Sequence, residues 1–348
     1  MAIRVGINGF GRSGRAFLRE AKRRKGVDFN FVAINDVVDP ALLAANLRFD
    51  SVHGAYPKNQ VKIVEDKKGN KVLRFNKDHI RLLGERDNAK LPWKELGCDV
   101  VFDSTGAWQT RKQLEKHLAG GAKKVIVFPP PGYKVDASIV MGVNDDQLTG
   151  AEKVISATSC TTNASAPLAM LLDEAFGLEM LFITAVHAFT SDQRLLDYPH
   201  PNVRRSRAAG LSIIPSWTNA GKALERILPN LKGKIFTGAH RVPIPDGSIA
   251  DLTFATKKPT SVEKINKLFA KAARSKQWKG ILEYTEDPLV SVDIVGNPHS
   301  VVFDSDLTQA VDDDFYNIGA WFDNEIGYAN RVIDLILKLD SLGPKVWK

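Results

Sequence analysis

The sequence predicts an α/β protein of two domains, the first a parallel sheet between helices and the second an α+β domain with a mostly antiparallel sheet. Three observations support this fold class. The 348 residues exceed the length of one typical domain, about 100–200 residues. From Ala2 to Thr158, short apolar runs alternate with longer amphipathic stretches, as in a sheet covered by helices on both faces. Beyond Cys160 this alternation stops, which indicates a separate domain that begins near residue 159.

The elements of the first domain follow from short β-branched runs and from apolar residues at helical spacing. The predicted strands are "IRVGI", "FNFVAI", "CDVVFDS", "KKVIVF" and "EKVISA". Helical patterns lie between them, in "RAFLREAKRR", "PALLAANLRF" and "RKQLEKHLAGG". A hairpin interrupts the alternation, since "QVKIVED" and "KVLRF" are joined by the turn signal "KKGN".

The second domain begins with a helix, "APLAMLLDEAFG", and the strand "EMLFITAVHAF", followed by a long polar segment at 190–209. The pattern then predicts the helices "NAGKALERIL" and "SVEKINKLFAKAARS" among the strands "GAHRVPI", "SIADLTFAT", "SVVFD" and "YNIGAWFD". A final helix, "GYANRVIDLILKLDSLG", has an apolar face that suits either domain. Strands in close succession favour an antiparallel sheet that carries helices.

Composition excludes several classes of protein. Hydrophobic residues make up 44% and charged residues 25%, as in globular proteins, and no apolar run approaches the roughly 20 residues of a membrane span. The two cysteines, Cys98 and Cys160, form no metal-binding cluster, so no metal site is expected. We see no secretory or retrieval signal, and we expect a cytoplasmic protein. The net charge is +8, but basic runs lack interleaved aromatics, so nucleic acid is not expected as the primary partner.

A glycine-rich turn indicates a dinucleotide site. Gly9-x-Gly11-x-x-Gly14 follows the first strand and opens the first helix, where backbone N–H groups and the helix dipole attract a pyrophosphate. Asp36 ends the second strand 22 residues after Gly14, at the spacing of an acid that binds the adenosine ribose. A carboxylate there repels a 2′-phosphate, so NAD is favoured over NADP, and the domain is predicted to have the Rossmann fold. A glycine-rich turn without a ligand is the alternative.

A thiol and a histidine form a second candidate site, after the dinucleotide site. Cys160 lies among polar residues in "TSCTTN" just before a helical pattern, where the helix dipole favours a thiolate. His187 ends the strand "LFITAV" and begins a loop, a usual place for a catalytic base. An inert buried cysteine and a surface histidine are the alternatives. The pairing of the two residues predicts nucleophilic catalysis at Cys160.

Basic and hydroxyl side chains downstream indicate a substrate that carries an anion. Candidates for binding phosphate oxygens are Thr190, Arg204, Arg205, Arg207, Thr218 and Arg241. A solvated basic loop is the alternative. Together with the preceding motifs, these residues predict an NAD-dependent oxidation at a thiol.

At this point the motifs identify a family. The chain resembles phosphorylating glyceraldehyde-3-phosphate dehydrogenases along its whole length, in the segments "VGINGFGRSGR", "VAIND", "STGAW", "SCTTN", "HAFTSDQ", "RRSRAA", "RVPIP" and "WFDNEIGYANRV". The resemblance implies a homotetramer, an NAD-binding domain at 1–158 that is completed by the C-terminal helix at 325–348, and a catalytic and oligomerisation domain at 159–324.

The resemblance also implies residue roles. Cys160 would form a thiohemiacetal with the aldehyde and then a thioester, with His187 as the base, and inorganic phosphate would cleave the thioester. Positions that match cofactor contacts are Gly9, Gly11, Arg12, Ser13, Asp36, Arg86, Thr105 and Asn324. Positions that match phosphate sites are Ser159, Thr161, Thr218 and Asn219 for inorganic phosphate, Thr190, Asp192 and Arg241 for the substrate's phosphate, and Arg205 between them.

Four departures from the family pattern stand out. Ser13 replaces a hydrophobic residue, and "FPPP" at 128–131 replaces "SAPS", which removes a serine expected near the nicotinamide. Ala164 replaces a second cysteine that the chemistry does not require. Trp217 and Asn219 flank Thr218, and Asn219 replaces the usual glycine, so phosphate affinity or the choice of substrate is open to change.

Two other functions are alternatives to the oxidation of glyceraldehyde 3-phosphate. Erythrose-4-phosphate dehydrogenase shares Cys160 and His187, and the changes around Thr218 favour it, whereas Thr190 in "HAFTSDQ" favours the triose enzyme. The second is a non-catalytic homologue that binds RNA or another anion. The presence of Cys160, His187, Arg241 and Asn324 together argues against it.

Overall fold

A nine-stranded sheet forms the first of two compact units in the computed structural model, which describes residues 2–107, 110–128, 134–312 and 314–347. This unit comprises residues 1–139, 145–158 and 332–348, and the second comprises 140–144 and 159–331. The departure at Pro129, Pro130 and Pro131 lies outside the described residues.

The strands and helices of the first unit follow the predicted alternation. The strands are β1 (Ile3–Asn8), β2 (Phe29–Asn35), β3 (Phe49–Asp50), β4 (Gly54–Ala55), β5 (Val61–Glu65), β6 (Lys71–Phe75), β7 (Asp78–Leu83), β8 (Val100–Asp103), β9 (Lys124–Val127), β10 (Ala137–Ser138) and β11 (Val154–Ser156). The helices are α1 (Arg12–Arg23), α2 (Pro40–Arg48) and α3 (Arg111–Ala119).

The order of the strands confirms a doubly wound sheet. It runs β10-β11-β9-β8-β1-β2-β7-β6-β5, and all neighbouring pairs are parallel except the hairpin β5–β6 and the pair β6–β7. The order reverses between β1 and β8, which is where such sheets bind a ligand beyond the carboxyl ends of their strands. Phe17 of α1 packs edge-on against Phe31 and Phe102 at ring distances of 5.7 and 5.0 Å, which fixes α1 on the sheet.

The second unit contains a seven-stranded sheet with the order β13-β14-β12-β15-β18-β17-β16. Its strands are β12 (Leu178–Ala188), β13 (Ile214–Ser216), β14 (Ile235–Val242), β15 (Ser248–Thr256), β16 (Leu282–Thr285), β17 (Val301–Ala310) and β18 (Phe315–Phe322). Four neighbouring pairs are antiparallel, and two, β12–β14 and β16–β17, are parallel. The sheet is therefore mostly antiparallel, as predicted.

The helices of the second unit bury one face of this sheet. They are α4 (Cys160–Phe176), α5 (Ala220–Ile227) and α6 (Val262–Ala273), followed by α7 (Ile326–Ser341), whose residues from Val332 onward belong to the first unit. Leu168 and Leu172 of α4 lie in the same core as Phe269 of α6, whose ring stacks on Phe303 at 4.1 Å. Along β15, buried and partly exposed residues alternate, as expected for a sheet with one covered face.

Two details differ from the sequence prediction. Helix α4 begins at Cys160, six residues before the apolar pattern "APLAMLLDEAFG", and it contains Pro167 in its interior. Six of the described strands were not predicted, and they are β3, β4, β7 and β10 in the first unit and β13 and β16 in the second. Among the described helices, none is long and apolar enough to cross a membrane.

Candidate active site

Cys160 is the first residue of α4, and the local backbone fixes its position. Ser159 caps the helix, since its hydroxyl accepts the N–H of Thr162 at 3.1 Å and lies 2.9 Å from the Thr162 hydroxyl. Thr158 has a φ of 59°, an unusual conformation for a β-branched residue, and its N–H bonds the Ser156 hydroxyl at 3.0 Å. The turn between β11 and α4 therefore stores backbone strain directly before the thiol.

His187 lies beside the thiol, as predicted. It is the second-to-last residue of β12, it is 5% exposed, and its Nε2 lies 3.3 Å from Cys160 Sγ. The ring of Phe322 packs edge-on against the imidazole at 5.8 Å. On the far side of the ring, Nδ1 lies 2.7 Å from the Ala188 carbonyl oxygen. A nitrogen that faces the sulfur and a fixed ring orientation suit a general base.

Arg241 joins this pair from the neighbouring strand. Strands β12 and β14 run parallel with His187 opposite Arg241. The Arg241 Nη1 lies 2.8 Å from His187 Nδ1 and donates to the Ala188 carbonyl at 2.9 Å. Three of the predicted residues, Cys160, His187 and Arg241, therefore form one contiguous group.

Burial and charge set the protonation of this group. Burial and, to a smaller extent, the charge of Arg241 lower the pKa of His187 to about 3, although the bond to the Ala188 carbonyl opposes both. Burial also raises the pKa of the Cys160 thiol, against the lowering effects of Arg241 and of hydrogen bonds from the Thr161 N–H and hydroxyl. The resting pair is therefore a thiol beside a neutral imidazole, whereas position at a helix N-terminus alone predicted a thiolate.

Arg205 and Asp192 form a second group. The Arg205 guanidinium donates to Asp192 at 2.6 Å and to the Ser216 hydroxyl at 3.0 and 2.8 Å. Desolvation tends to raise the pKa of Asp192, but hydrogen bonds from Arg205 and His200 lower it below its ordinary value. Thr190 lies nearby in the chain, where its N–H bonds the Gln193 side chain at 3.3 Å. Asp192 thus orients the Arg205 guanidinium, and its own carboxylate has no hydrogen-bond donor to offer a phosphate.

The predicted phosphate residues around Thr218 lie at the start of α5. The Thr218 hydroxyl accepts the N–H of Ala220 at 3.2 Å, and Asn219 is the N-cap without a side-chain capping bond. The ring of Trp217 is 56% exposed. Among the described contacts, none joins Thr218 or Asn219 to Cys160, so their membership of one site with the thiol stays a prediction.

Asn324 is held in one orientation by a residue that sequence reasoning missed. The Ser248 hydroxyl donates to Asn324 Oδ1 at 2.7 Å and accepts the N–H of Ala188 at 3.1 Å. The amide group of Asn324 therefore presents its Nδ2 donors away from Ser248. This contact also links Asn324 to the strand end that carries His187.

The glycine-rich turn of the first unit has the geometry that a pyrophosphate requires. Gly9 has a φ of 89°, and a Cβ there would lie 2.9 Å from the Thr105 N. A Cβ on Gly14 would lie 2.3 Å from the Gly9 carbonyl oxygen, whereas a Cβ on Gly11 would meet open space. Gly9 and Gly14 are thus required for packing, and Gly11 leaves room for a ligand at the N-terminus of α1.

Asp36 lies directly beside this turn. Its carboxylate accepts the N–H of Phe10 at 2.7 Å and that of Val38 at 3.1 Å. A pocket of about 460 Å³ opens next to it, with Val38, Pro40 and Leu83 among its lining residues. Charged side chains, Lys71 and Arg81 among them, complete the lining. Apolar surface beside a carboxylate suits an adenosine, with the ribose at Asp36.

The remaining predicted cofactor residues surround the turn. Arg12 bonds Asp50 at 3.1 and 3.2 Å. Burial tends to raise the pKa of Asp50, but the N–H groups of His53 and Val52 and the charge of Arg12 lower it to about 2. Ser13 is half-buried in the first turn of α1, and Arg86 is exposed after β7.

A buried polar cluster connects the loops of this unit, and it was not predicted. His117 Nδ1 accepts the Trp93 indole N–H at 3.0 Å, and its Nε2 lies 3.1 Å from Asp103. Asp103 in turn accepts the N–H and the hydroxyl of Thr105 at 3.0 and 2.7 Å. Asn8 donates to the same carboxylate at 3.0 Å. The only sequence signal was polar residues at the ends of apolar strands.

Other missed residues lie in the second unit. Burial, together with the charges of Asp323 and Glu325, raises the pKa of Asp246 well above its ordinary range. Tyr328 is buried, and desolvation together with the charge of Cys160 raises the pKa of its hydroxyl. Their positions in "RVPIPDGS" and "WFDNEIGYANRV" lie next to predicted residues, but neither motif indicated burial.

Known protein families match the chain in two segments, one in the N-terminal part and one in the C-terminal part. Residues 3–111 match the family model described as the NAD binding domain of glyceraldehyde 3-phosphate dehydrogenase, and residues 159–324 match the model of its C-terminal domain. A glyceraldehyde-3-phosphate dehydrogenase from Mycobacterium avium is 47% identical over 340 residues, which cover 97% of this chain and 98% of that protein. One from Streptomyces coelicolor is 47% identical over 336 residues, covering 96% and 98%. Because the family models match most of the chain and these relatives align over nearly all of it, the chain belongs to the glyceraldehyde 3-phosphate dehydrogenase family and contains its NAD-binding domain.

Proposed function

We propose that this chain oxidises glyceraldehyde 3-phosphate with NAD and inorganic phosphate to 1,3-bisphosphoglycerate, NADH and a proton. The observation that carries the proposal is the 3.3 Å separation of Cys160 Sγ and His187 Nε2 in a chain of this family. A nucleophile within reach of a fixed, neutral base is the arrangement that covalent catalysis requires.

The residues of the second unit account for the chemical steps. As Cys160 attacks the aldehyde carbon, His187 Nε2 takes the thiol proton and passes it to the carbonyl oxygen, which gives a thiohemiacetal. His187 then removes that hydroxyl proton while a hydride leaves the same carbon, and a thioester to Cys160 results. When bound, NAD supplies the acceptor for this hydride. Inorganic phosphate attacks the thioester carbon, and His187 returns its proton to the departing sulfur.

The first unit fits NAD. The open space at Gly11 leaves room at the N-terminus of α1 for the pyrophosphate. The carboxylate of Asp36, which accepts the N–H of Phe10 beside this turn, is assigned to the ribose hydroxyls. We assign cofactor binding to Gly9, Gly11, Arg12, Ser13, Asp36, Arg86 and Thr105, in the domain predicted at 1–158 with 325–348. Asn324, which Ser248 orients, is assigned to the nicotinamide amide.

Two phosphate subsites are assigned from the family pattern. Ser159, Thr161, Thr218 and Asn219 are proposed to bind inorganic phosphate. Thr190 and Arg241 are proposed to bind the phosphate of the substrate, with Asp192 acting through its bond to Arg205. The Nε of Arg241 is buried without a hydrogen-bond partner among the described residues, which supports an anion there.

The setting of the enzyme is proposed on two grounds. Both cysteines are free thiols, and a reaction that depends on one of them suits a reducing compartment such as the cytoplasm. Large exposed apolar residues on β12 and β14, Phe182 and Phe236, support assembly into a homotetramer.

The test is NADH formation from glyceraldehyde 3-phosphate and from erythrose 4-phosphate, each with and without inorganic phosphate. We expect a preference for the triose that depends on phosphate. Cys160→Ser is expected to abolish turnover while NAD still binds, because the cofactor residues of the first unit are unchanged.

Other outcomes identify the competing functions. Preference for the tetrose, without a requirement for phosphate, would assign the chain to the sister activity and give Trp217 and Asn219 a role in specificity. Retention of RNA that depends on salt, without any NADH, would indicate a non-catalytic anion-binding protein.

A further inference from the structure

His187 Nδ1 and its two polar neighbours lie closer together than any single protonation state of the imidazole favours. The Ala188 carbonyl oxygen is 2.7 Å from Nδ1, the Arg241 Nη1 is 2.8 Å from Nδ1, and these two neighbours are 2.9 Å apart. The carbonyl can only accept a hydrogen bond and the guanidinium can only donate one.

Each state of the imidazole leaves one of these contacts unfavourable. With a proton on Nδ1, the bond to Ala188 forms, but two N–H groups face each other at the Arg241 contact. With the proton on Nε2, Nδ1 accepts from Arg241 but faces the lone pairs of the Ala188 oxygen, and Nε2 no longer accepts from Cys160. The imidazolium, which must form when Cys160 gives up its proton, places two cations 2.8 Å apart.

Arg241 also retains unused capacity for an anion. Its Nε is buried without a hydrogen-bond partner among the described residues. Burial lowers the pKa of the Arg241 guanidinium to about 10, which reflects the cost of holding this charge in a poorly hydrated place. A phosphate offers the paired acceptors that a guanidinium prefers.

We propose that Arg241 couples recognition of the substrate's phosphate to proton transfer at Cys160. In the free chain the guanidinium lies against His187 and opposes the imidazolium. A phosphate that draws the guanidinium toward itself leaves Nδ1–H bonded to Ala188 and allows Nε2 to take the thiol proton. This role rests on the proposed function and adds to it that the phosphate acts on the rate of acylation as well as on binding.

The position of the charge decides the direction of the effect. Arg241 contacts the Nδ1 edge of the imidazole, whereas Cys160 lies at the Nε2 edge on the opposite side. A positive charge at that position destabilises the imidazolium more than it stabilises the more distant thiolate. Its removal therefore favours transfer of the proton from sulfur to nitrogen.

The other charged or titratable groups that act on this pair do not compensate for Arg241. Arg205 also lowers the pKa of both His187 and Arg241, and Asp192 raises that of Arg241 to a smaller extent. The buried Tyr328 hydroxyl interacts with the charge of Cys160. Phe322 contributes an uncharged ring.

The first experiment uses the full chain and sn-glycerol 3-phosphate, a phosphate ester that has no aldehyde. The protonation of His187 is followed against pH by NMR of its imidazole, as a difference from His187→Asn. In the unmodified chain, saturating ester is expected to raise the pKa of His187 by about one unit, because the guanidinium that opposes the imidazolium is drawn away. Arg241→Gln is expected to show no such shift. Arg274→Gln, which removes an exposed charge beyond the end of α6, is the matched control and is expected to shift like the unmodified chain.

A second measurement separates rate from binding. For unphosphorylated glyceraldehyde, Arg241→Gln is expected to raise kcat, because nothing in that substrate draws the guanidinium from His187. For glyceraldehyde 3-phosphate the same change is expected to lower kcat/KM. The kcat for glyceraldehyde divided by the kcat for glyceraldehyde 3-phosphate should be at least about tenfold higher in Arg241→Gln than in the unmodified chain.

The outcomes are distinguishable. If calorimetry shows that the ester binds the unmodified chain but the pKa of His187 does not move, the coupling is wrong and the proposed phosphate subsite survives. If the ester does not bind at all, the phosphate subsite of the proposed function is wrong. The comparison with and without ester in the unmodified chain decides the question even if Arg241→Gln fails to fold.

Discussion

At the scale of residues, the site depends on a histidine that the fold keeps neutral. His187 is nearly excluded from water, and burial lowers its pKa to about 3, so at neutral pH it is able to accept the Cys160 proton. A base that were already protonated would have no such capacity. The same burial has a consequence for stability, because an unfolded chain exposes the imidazole to water.

We expect acid to destabilise the protein through His187. The unfolded residue titrates near its ordinary value of about 6.5 and the folded one near 3, so between these pH values the unfolded state binds more protons. The free energy of unfolding therefore falls as the pH falls through this window, by on the order of one kcal/mol per pH unit. His187→Asn is expected to flatten the dependence of the thermal midpoint on pH between 6.5 and 4. His79→Asn, at an exposed position, should leave the slope unchanged; equal slopes in all three proteins would contradict the assignment.

Local sequence was sufficient for Cys160 and His187 but not for their contact with Arg241. The thiol and the base each lie at the end of an element with a recognisable pattern. The His187–Arg241 contact joins residues 54 positions apart, and it depends on the parallel register of β12 and β14. The protonation state of Cys160 could not be predicted from the sequence either. Its position at a helix N-terminus predicted a thiolate, and only the structure shows that burial opposes this by raising the pKa of the thiol.

At the scale of elements, a cluster of buried polar side chains holds the loops of the NAD-binding unit. His117 bridges the Trp93 indole and the Asp103 carboxylate, and Asp103 holds the N–H and hydroxyl of Thr105. Thr105 packs against Gly9, whose missing side chain allows the approach. Helix α3 is thereby connected to the glycine-rich turn through hydrogen bonds.

We expect His117→Leu to weaken both stability and cofactor binding. The substitution leaves the buried Trp93 N–H without its acceptor and Asp103 without one donor, at a cost of about 1–3 kcal/mol for each unsatisfied group. Denaturant unfolding of the chain and the dissociation constant of NAD are the measurements. Lys112→Leu, on the exposed side of the same helix, is the control. An unchanged NAD dissociation constant in His117→Leu would contradict the link to the turn.

The sequence predicted most elements because their apolar periodicity is long and regular. It failed where elements are short or where their start is polar. Helix α4 begins with "CTTNAS", which lacks an apolar stripe, and Pro167 reads as a helix start although it lies in the interior. Strand β13 has three residues with Pro215 at its centre, and proline does not favour a strand.

At the scale of the whole molecule, exposed apolar side chains indicate self-association. Phe182 and Phe236 are register partners on β12 and β14, and they are 43% and 51% exposed. In the polar segment that follows β12, Leu195 and Val203 are exposed by about four-fifths. Monomeric proteins rarely leave so many large apolar groups in contact with water.

We expect light scattering to give the mass of four chains, and Phe236→Asp to shift it toward smaller species. A carboxylate placed in an apolar interface loses hydration without gaining a partner. Val311→Asp, at another exposed apolar position of the same unit, should leave the mass unchanged. A single-chain mass for the unmodified protein would contradict the homotetramer.

The two thiols differ in accessibility, so their reaction with a thiol reagent can be followed separately. Cys98 is fully buried in the first unit, and Cys160 keeps part of its surface exposed in the second. A thiol reagent should therefore consume one equivalent per chain in a first phase, at Cys160, and a second only when the first unit opens. Because the chain has only these two cysteines, the fast phase reports the Cys160 sulfur alone. A single labelling trace then measures, on separate timescales, the state of the reacting atom and the lifetime of the native cofactor-binding unit.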